Sequence, residues 1–208
     1  MSVPSANFLS MGLSDVFANK IRELAAVIAP PERPSDWDEE LLRRNKNILR
    51  TEFPDDYIEF GRVFGSGAFN AAIPADDSSL YLEVWSPARE TCPSIVMHYS
   101  RILNYFKAAM EVDDVEFGIF PEQKGYLPFA RNLDGGSVGW ITAGEPNDWK
   151  VVELEGYESG AFQILEMGFS EFLFNVLTRK IALNRYEDLT PWKVEDVTFG
   201  QEIYADRF

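Results

Sequence analysis

Apolar residues recur along this chain with two periods, and the places where one period gives way to the other outline its elements. Around residue 14 the spacing is helical: Leu13, Val16, Phe17, Ile21, Leu24 and Ile28 step by three or four, with Ser14 placed as a cap. Pro30-Pro31 ends that helix, and the run to Pro34 reads as a short stiff connector. Ser35-Asp-Trp-Asp38 resembles a capping box with Asp38 where Glu or Gln is usual. The helix behind it carries Trp37, Leu41, Leu42 and Ile48, with Arg43, Arg44, Lys46 and Arg50 on its outer face. Phe53-Pro54-Asp55-Asp56 opens a third helix. Proline suits a first helical position because its missing N–H has no partner there, and the two carboxylates face the positive end of the helix dipole. Tyr57, Phe60 and Phe64 then share one face, and Gly65 and Gly67 provide a turn.

The period shortens to two at Leu80–Trp85, which puts Leu80, Leu82 and Val84 on one face and Tyr81, Glu83 and Trp85 on the other. A helix is predicted over Ser94–Met110, with Ile95, Tyr99, Ile102, Phe106 and Met110 as its stripe. Short strands are predicted at Phe117–Phe120, Tyr126–Ala130, Val138–Ala143, Trp149–Glu155 and Ala161–Leu165, divided by turn signals at Asp134-Gly-Gly136, Gly144–Asp148 and Gly156–Gly160. Phe169, Phe172, Leu173, Val176, Leu177 and Ile181 build a closing helix behind Gly168 as N-cap. These elements predict an α+β fold, an antiparallel meander with helices packed on one face. Residues 35–183 form the domain, 1–34 a lead-in with an extra helix, and 184–208 a tail too aromatic to float free.

Composition narrows the function. Of 208 residues 46% are hydrophobic, enough for a sizeable core. The formal net charge of −15 argues against nucleic acid and against an anionic membrane surface, both of which require clustered Lys and Arg. It suits a basic partner. No apolar run is long enough to span a membrane, no signal peptide is visible, and the single Cys92 fits a reducing compartment, so a cytoplasmic location is expected.

Chemistry is thinly supplied. His98, alone of its kind, borders an apolar stripe and reads as structural; Cys92 stands before Pro93 at a helix start and points away from it. One Cys and one His are too few for zinc, and the acidic pairs lack calcium-loop spacing, so no metal and no cofactor are expected. No nucleophile elbow, P-loop or kinase signature occurs. Trp85, Trp140 and Trp149 read as core.

The order Phe53-Pro54-x-Asp56-Tyr57-x-x-Phe60, then Gly65, Gly67 and Phe69, resembles the SUKH superfamily of cell-wall synthesis regulators and bacterial immunity proteins. Leu127-Pro-Phe129, Asn132, Asp134-Gly-Gly136, Trp140–Gly144, Pro146-x-x-Trp149 and Phe169-Ser-Glu-Phe-Leu173 are similar to bacterial members. The resemblance covers about residues 35–183. It implies a non-enzymatic protein-binding domain, most simply an immunity protein against a basic, nuclease-type toxin, with a regulatory or scaffolding role as the alternative. A monomer or weak homodimer is expected. Acidic turns are the expected partner contacts: Asp76, Asp77, Asp113, Asp114 and Glu116 first, then Asp134, Glu145 and Asp148 at hairpin tips.

Overall fold

A computed structural model describes residues 13–32, 37–72, 79–89, 94–100, 117–132, 136–154, 162–181, 183 and 192–200. Three helices come first: α1 (Leu13–Val27), α2 (Glu39–Leu49) and α3 (Asp55–Val63). Strands β1 (Gly67–Ala72) and β2 (Ser79–Val84) follow, then helical residues 95–100, here α4. β3 (Tyr126–Asn132), β4 (Ser137–Ile141), β5 (Lys150–Leu154) and β6 (Phe162–Leu165) lead to α5 (Phe169–Leu177), and β7 (Thr198–Gly200) closes the described chain. The strands form one antiparallel sheet in the order β6-β5-β4-β3-β2-β1-β7. The expected α+β meander is what the chain adopts.

Helices α1, α3 and α5 pack on one another over one face of the sheet. Beneath them lie Phe69, Leu80, Leu82, Val84, Leu127, Phe129, Val138, Trp140 and Val151, all buried. Large apolar side chains such as these each contribute roughly 1.5–3 kcal/mol when removed from water. Tyr57 stands at the centre, with ring centroids 4.8 Å from Trp140, 5.0 Å from Phe169 and 5.7 Å from Phe53.

The other face is also buried over part of its area. Trp85, Phe117, Tyr126, Val152 and Leu154 form a second apolar cluster there. α4 joins the two clusters, with Ile95 in the first and His98 stacked on Trp85 at 4.0 Å between centroids. All three tryptophans expected in the core are buried, Trp149 at 4% exposure and the other two at 0%.

Several local expectations are corrected. Asp38 is itself the N-cap of α2, and its carboxylate accepts from the N–H groups of Glu40 and Leu41. The inner face of α2 is Leu42, Asn45 and Leu49, while Ile48 is 52% exposed. Asn45 lies there because its Nδ2 donates to the carbonyls of Pro87 and Arg89. Ser14 is already helical, since α1 begins at Leu13. Pro54 is the cap of α3, which begins at Asp55.

Phe117–Phe120 is not a strand. Its one sheet contact is an isolated bridge, Ile119 with Tyr126, because the chain reverses at once: Tyr126 N–H donates to the Gly118 carbonyl and Phe120 N–H to that of Tyr126. Gly125 permits this reversal, for a Cβ there would meet the Phe120 backbone nitrogen. Two strands were not foreseen. β1 is built of Gly, Ala, Phe and Asn and lacks the β-branched residues that mark strands. β7 comes from the tail, of which residues 192–200 are described and pack on the body: Trp192 Nε1 donates to the Leu177 carbonyl at the end of α5, and Phe199 enters the rings of Phe60, Phe64 and Phe69.

Candidate functional site

The residues of the proline-tyrosine segment meet the starts of two helices and the β4–β5 tip at one end of the sheet. Gly168 caps α5 without a side chain, so the first N–H groups of that helix need an acceptor from elsewhere. Asp56 supplies it: Oδ2 accepts from Ser170 N–H at 2.8 Å. Burial pushes the Asp56 carboxyl above its ordinary value, and the Ser170 hydrogen bonds pull against that rise. Tyr57 donates its phenolic O–H to the Trp85 carbonyl, and burial drives its pKa well above the usual tyrosine value.

The β4–β5 tip is pinned to this joint. Asn147 Oδ1 accepts from Asp55 N–H at 2.8 Å, and its Nδ2 donates to Asp55 Oδ2 at 3.0 Å. Gly144 takes a left-handed φ of 79°, and its carbonyl accepts from Trp149 Nε1 at 3.3 Å. Between the pieces lies a shallow recess lined by Pro54, Asp56, Pro146, Asn147, Trp149, Gly168 and Phe169. It encloses essentially no volume, whereas pockets that take a small molecule hold roughly 300–1,000 Å³. The place is a surface with a dimple.

Of the expected contact residues, Glu145 and Asp148 are exposed on this tip, on either side of the Pro146–Asn147 pair. Asp55, exposed and tied to Asn147, adds a third carboxylate that the sequence reading assigned only to the helix dipole. The acid-rich start of α3 was the available signal; its neighbour across the sequence was not. Lys150, at the base of the tip, lies 3.9 Å from Glu166. Asp76, Asp77, Asp113, Asp114, Glu116 and Asp134 fall outside the described residues.

No family model matches the chain, and no curated protein matches it either.

A second group of polar residues lies on the opposite sheet face. Glu83 is 0% exposed and takes hydrogen bonds from Tyr81 Oη at 3.0 Å, Trp85 Nε1 at 2.9 Å and Arg131 Nε and Nη2 at 3.0 and 2.8 Å. His98 Nε2 stands 3.7 Å from Glu83 Oε1, too far for a hydrogen bond. A carboxylate gripped by four donors and closed off from solvent is poorly placed to move a proton to a substrate. Its work is structural, joining β2 to β3. The position of Cys92 falls outside the described residues.

Among the described residues, no group of three or more His, Cys, Asp or Glu is placed to hold a metal ion. No described helix is long and apolar enough to cross a membrane. The basic face of α2 is partly neutralised in place. Arg43 pairs with Glu40, which holds the Glu40 carboxyl below its ordinary value, and Lys46 lies 2.5 Å from Glu52.

Proposed function

We propose that this chain is a non-enzymatic protein-binding domain of the SUKH type, acting in the cytoplasm as an immunity protein that holds a basic, nuclease-type toxin domain in an inactive complex. The observation that carries this reading is the joint around residues 53–60. Phe53, Pro54, Asp56, Tyr57, Phe60, Trp140, Trp149 and Phe169 pack against one another or cap a helix there. Residues that carry the family resemblance therefore have one shared structural job, which accounts for their joint spacing. They leave the exposed charge to meet the partner. A nuclease needs a basic groove to hold phosphate, and a protein of net charge −15 is drawn to such a groove and can cover it.

The test is co-expression and capture. The tagged protein, expressed in its native host, should retain a toxin-like basic domain encoded near its own gene, and should protect cells in which that domain is induced. Failure to protect, with no basic partner retained, would sink the immunity reading. Retention of a cell-wall or signalling protein instead would point to the regulatory role.

A further inference from the structure

Positive charge collects at the C-terminal end of α5. Thr178 caps that helix, and Arg179 follows in the left-handed region with φ 56°. The turn is closed by Lys180 N–H and Ile181 N–H, which donate to the Asn175 carbonyl at 2.8 and 3.2 Å. It sends the Lys180 side chain back along the helix, so that its ammonium stands 4.6 Å from the ring centroid of Phe174. Lys20, from α1, places its ammonium 5.6 Å from the same ring. Arg179 lies over Trp192 at 4.5 Å.

Cations just past a helix C-terminus complement its dipole, and that accounts for Arg179 and Lys180. It does not account for Lys20, which belongs to another helix and yet shares the ring. Like charges held near one aromatic repel, and the ring offsets only part of that repulsion. Among the described residues neither ammonium has a carboxylate within ion-pair distance. The contrast with α2 is direct, since Arg43 and Lys46 there each have a carboxylate.

We propose that Lys20, Phe174 and Lys180 form a docking surface for an acidic peptide segment of a protein partner. Two ammoniums complement neighbouring carboxylates, and the half-buried Phe174 ring near both offers apolar contact. The occupant is a short segment because the favourable field is local. At ordinary ionic strength charges further than about 8 Å away are largely screened, so a segment confined to this patch escapes the distant part of the net charge of −15 and meets chiefly the exposed Glu23 and Glu171, one helical turn from Lys20 and Phe174. Nucleic acid and anionic bilayers extend well past that range and would meet the repulsion in full. The surface uses different elements and the opposite charge from the β4–β5 tip, so it stands independently of the toxin reading.

The test is fluorescence anisotropy with a dye-labelled hexaglutamate peptide, and hexaglutamine as the neutral control, on the full chain at low and physiological salt. Hexaglutamate should bind, more weakly as salt rises, and hexaglutamine should not. Lys20→Gln with Lys180→Gln should lower the affinity about tenfold, the loss of two charge-assisted contacts. Phe174→Leu, which keeps apolar volume and removes the ring, should lower it about threefold. Arg43→Gln with Arg50→Gln removes the same charge from α2 and should leave affinity within about twofold. Binding no better than hexaglutamine overturns the proposal, as does an equal loss in the α2 variant.

Discussion

Asp56 shows how much one side chain can carry. Its carboxylate serves an N–H 114 residues later, in the first turn of α5, and it does so while 3% exposed. Asp56→Ala should cost about 1–2 kcal/mol, the usual loss when a cap is removed. Urea denaturation would show it, and an unchanged midpoint would mean that α5 needs no cap from α3. The pH dependence has a definite sign. Burial raises the folded-state pKa above the ordinary value of 3.8, so in the interval between them the native state holds the additional proton. The stability from this group is fully present below the ordinary value and is lost as pH rises through the raised one. Asp56→Asn carries no titrating proton, so its stability should lack that decline when unfolding is followed from acid toward neutral pH.

Among the elements, the pairing of β1 with β7 rests on one glycine. A Cβ at Gly67 would meet the Phe199 ring and lie 2.5 Å from the Gly200 carbonyl oxygen. The ring could turn aside; the backbone of a paired strand could not. Gly67→Ala is expected to detach β7 and cost about 1–3 kcal/mol, comparable to overpacking elsewhere. Hydrogen exchange would report it as lost protection on the β1 edge, and retained protection there would refute the tight approach. β2 and β3 are joined differently, through the buried Glu83 and the part-buried Arg131. Glu83→Ala should cost about 1–3 kcal/mol because Tyr81, Trp85 and the part-buried Arg131 each lose an acceptor. Replacing both residues by methionine should recover only the Arg131 part of that loss, since Tyr81 Oη and Trp85 Nε1 would still lack an acceptor. A thermal-denaturation cycle in which the double variant is as unstable as the sum of the singles would show that the pair is not coupled.

For the whole molecule the deciding quantity is where charge reaches the surface. Glu145, Asp148 and Asp55 stand together at the β4–β5 tip, while two lysines share a ring on the helical side. If the tip steers a basic partner, Glu145→Lys with Asp148→Lys should slow association about tenfold at low salt and leave dissociation nearly unchanged, since peripheral charges act mainly on encounter. Stopped-flow measurements at several ionic strengths would check this, and a rate equal to that of the unaltered protein would remove the steering role.

Periodicity and turn signals were enough to read α1, α2, α3 and α5, the strands from β2 to β6 and the α+β class, because each depends on which face of a local element is buried; of the helix predicted over Ser94–Met110, residues 101–110 lie outside the described residues. Composition likewise set the charge that any partner meets. β1 lacked that signal, since small residues fit a sheet interior without advertising it, and β7 was hidden in the tail. Alternation placed Glu83 only on the face of Tyr81 and Trp85; its complete burial beside the second cluster belongs to the tertiary structure. The Asp55–Asn147 bond spans 92 residues, and no local pattern encodes such a partner. Contacts of that length exist only once the sheet has assembled, so the tertiary structure decided which carboxylates are buried as caps and which remain outside.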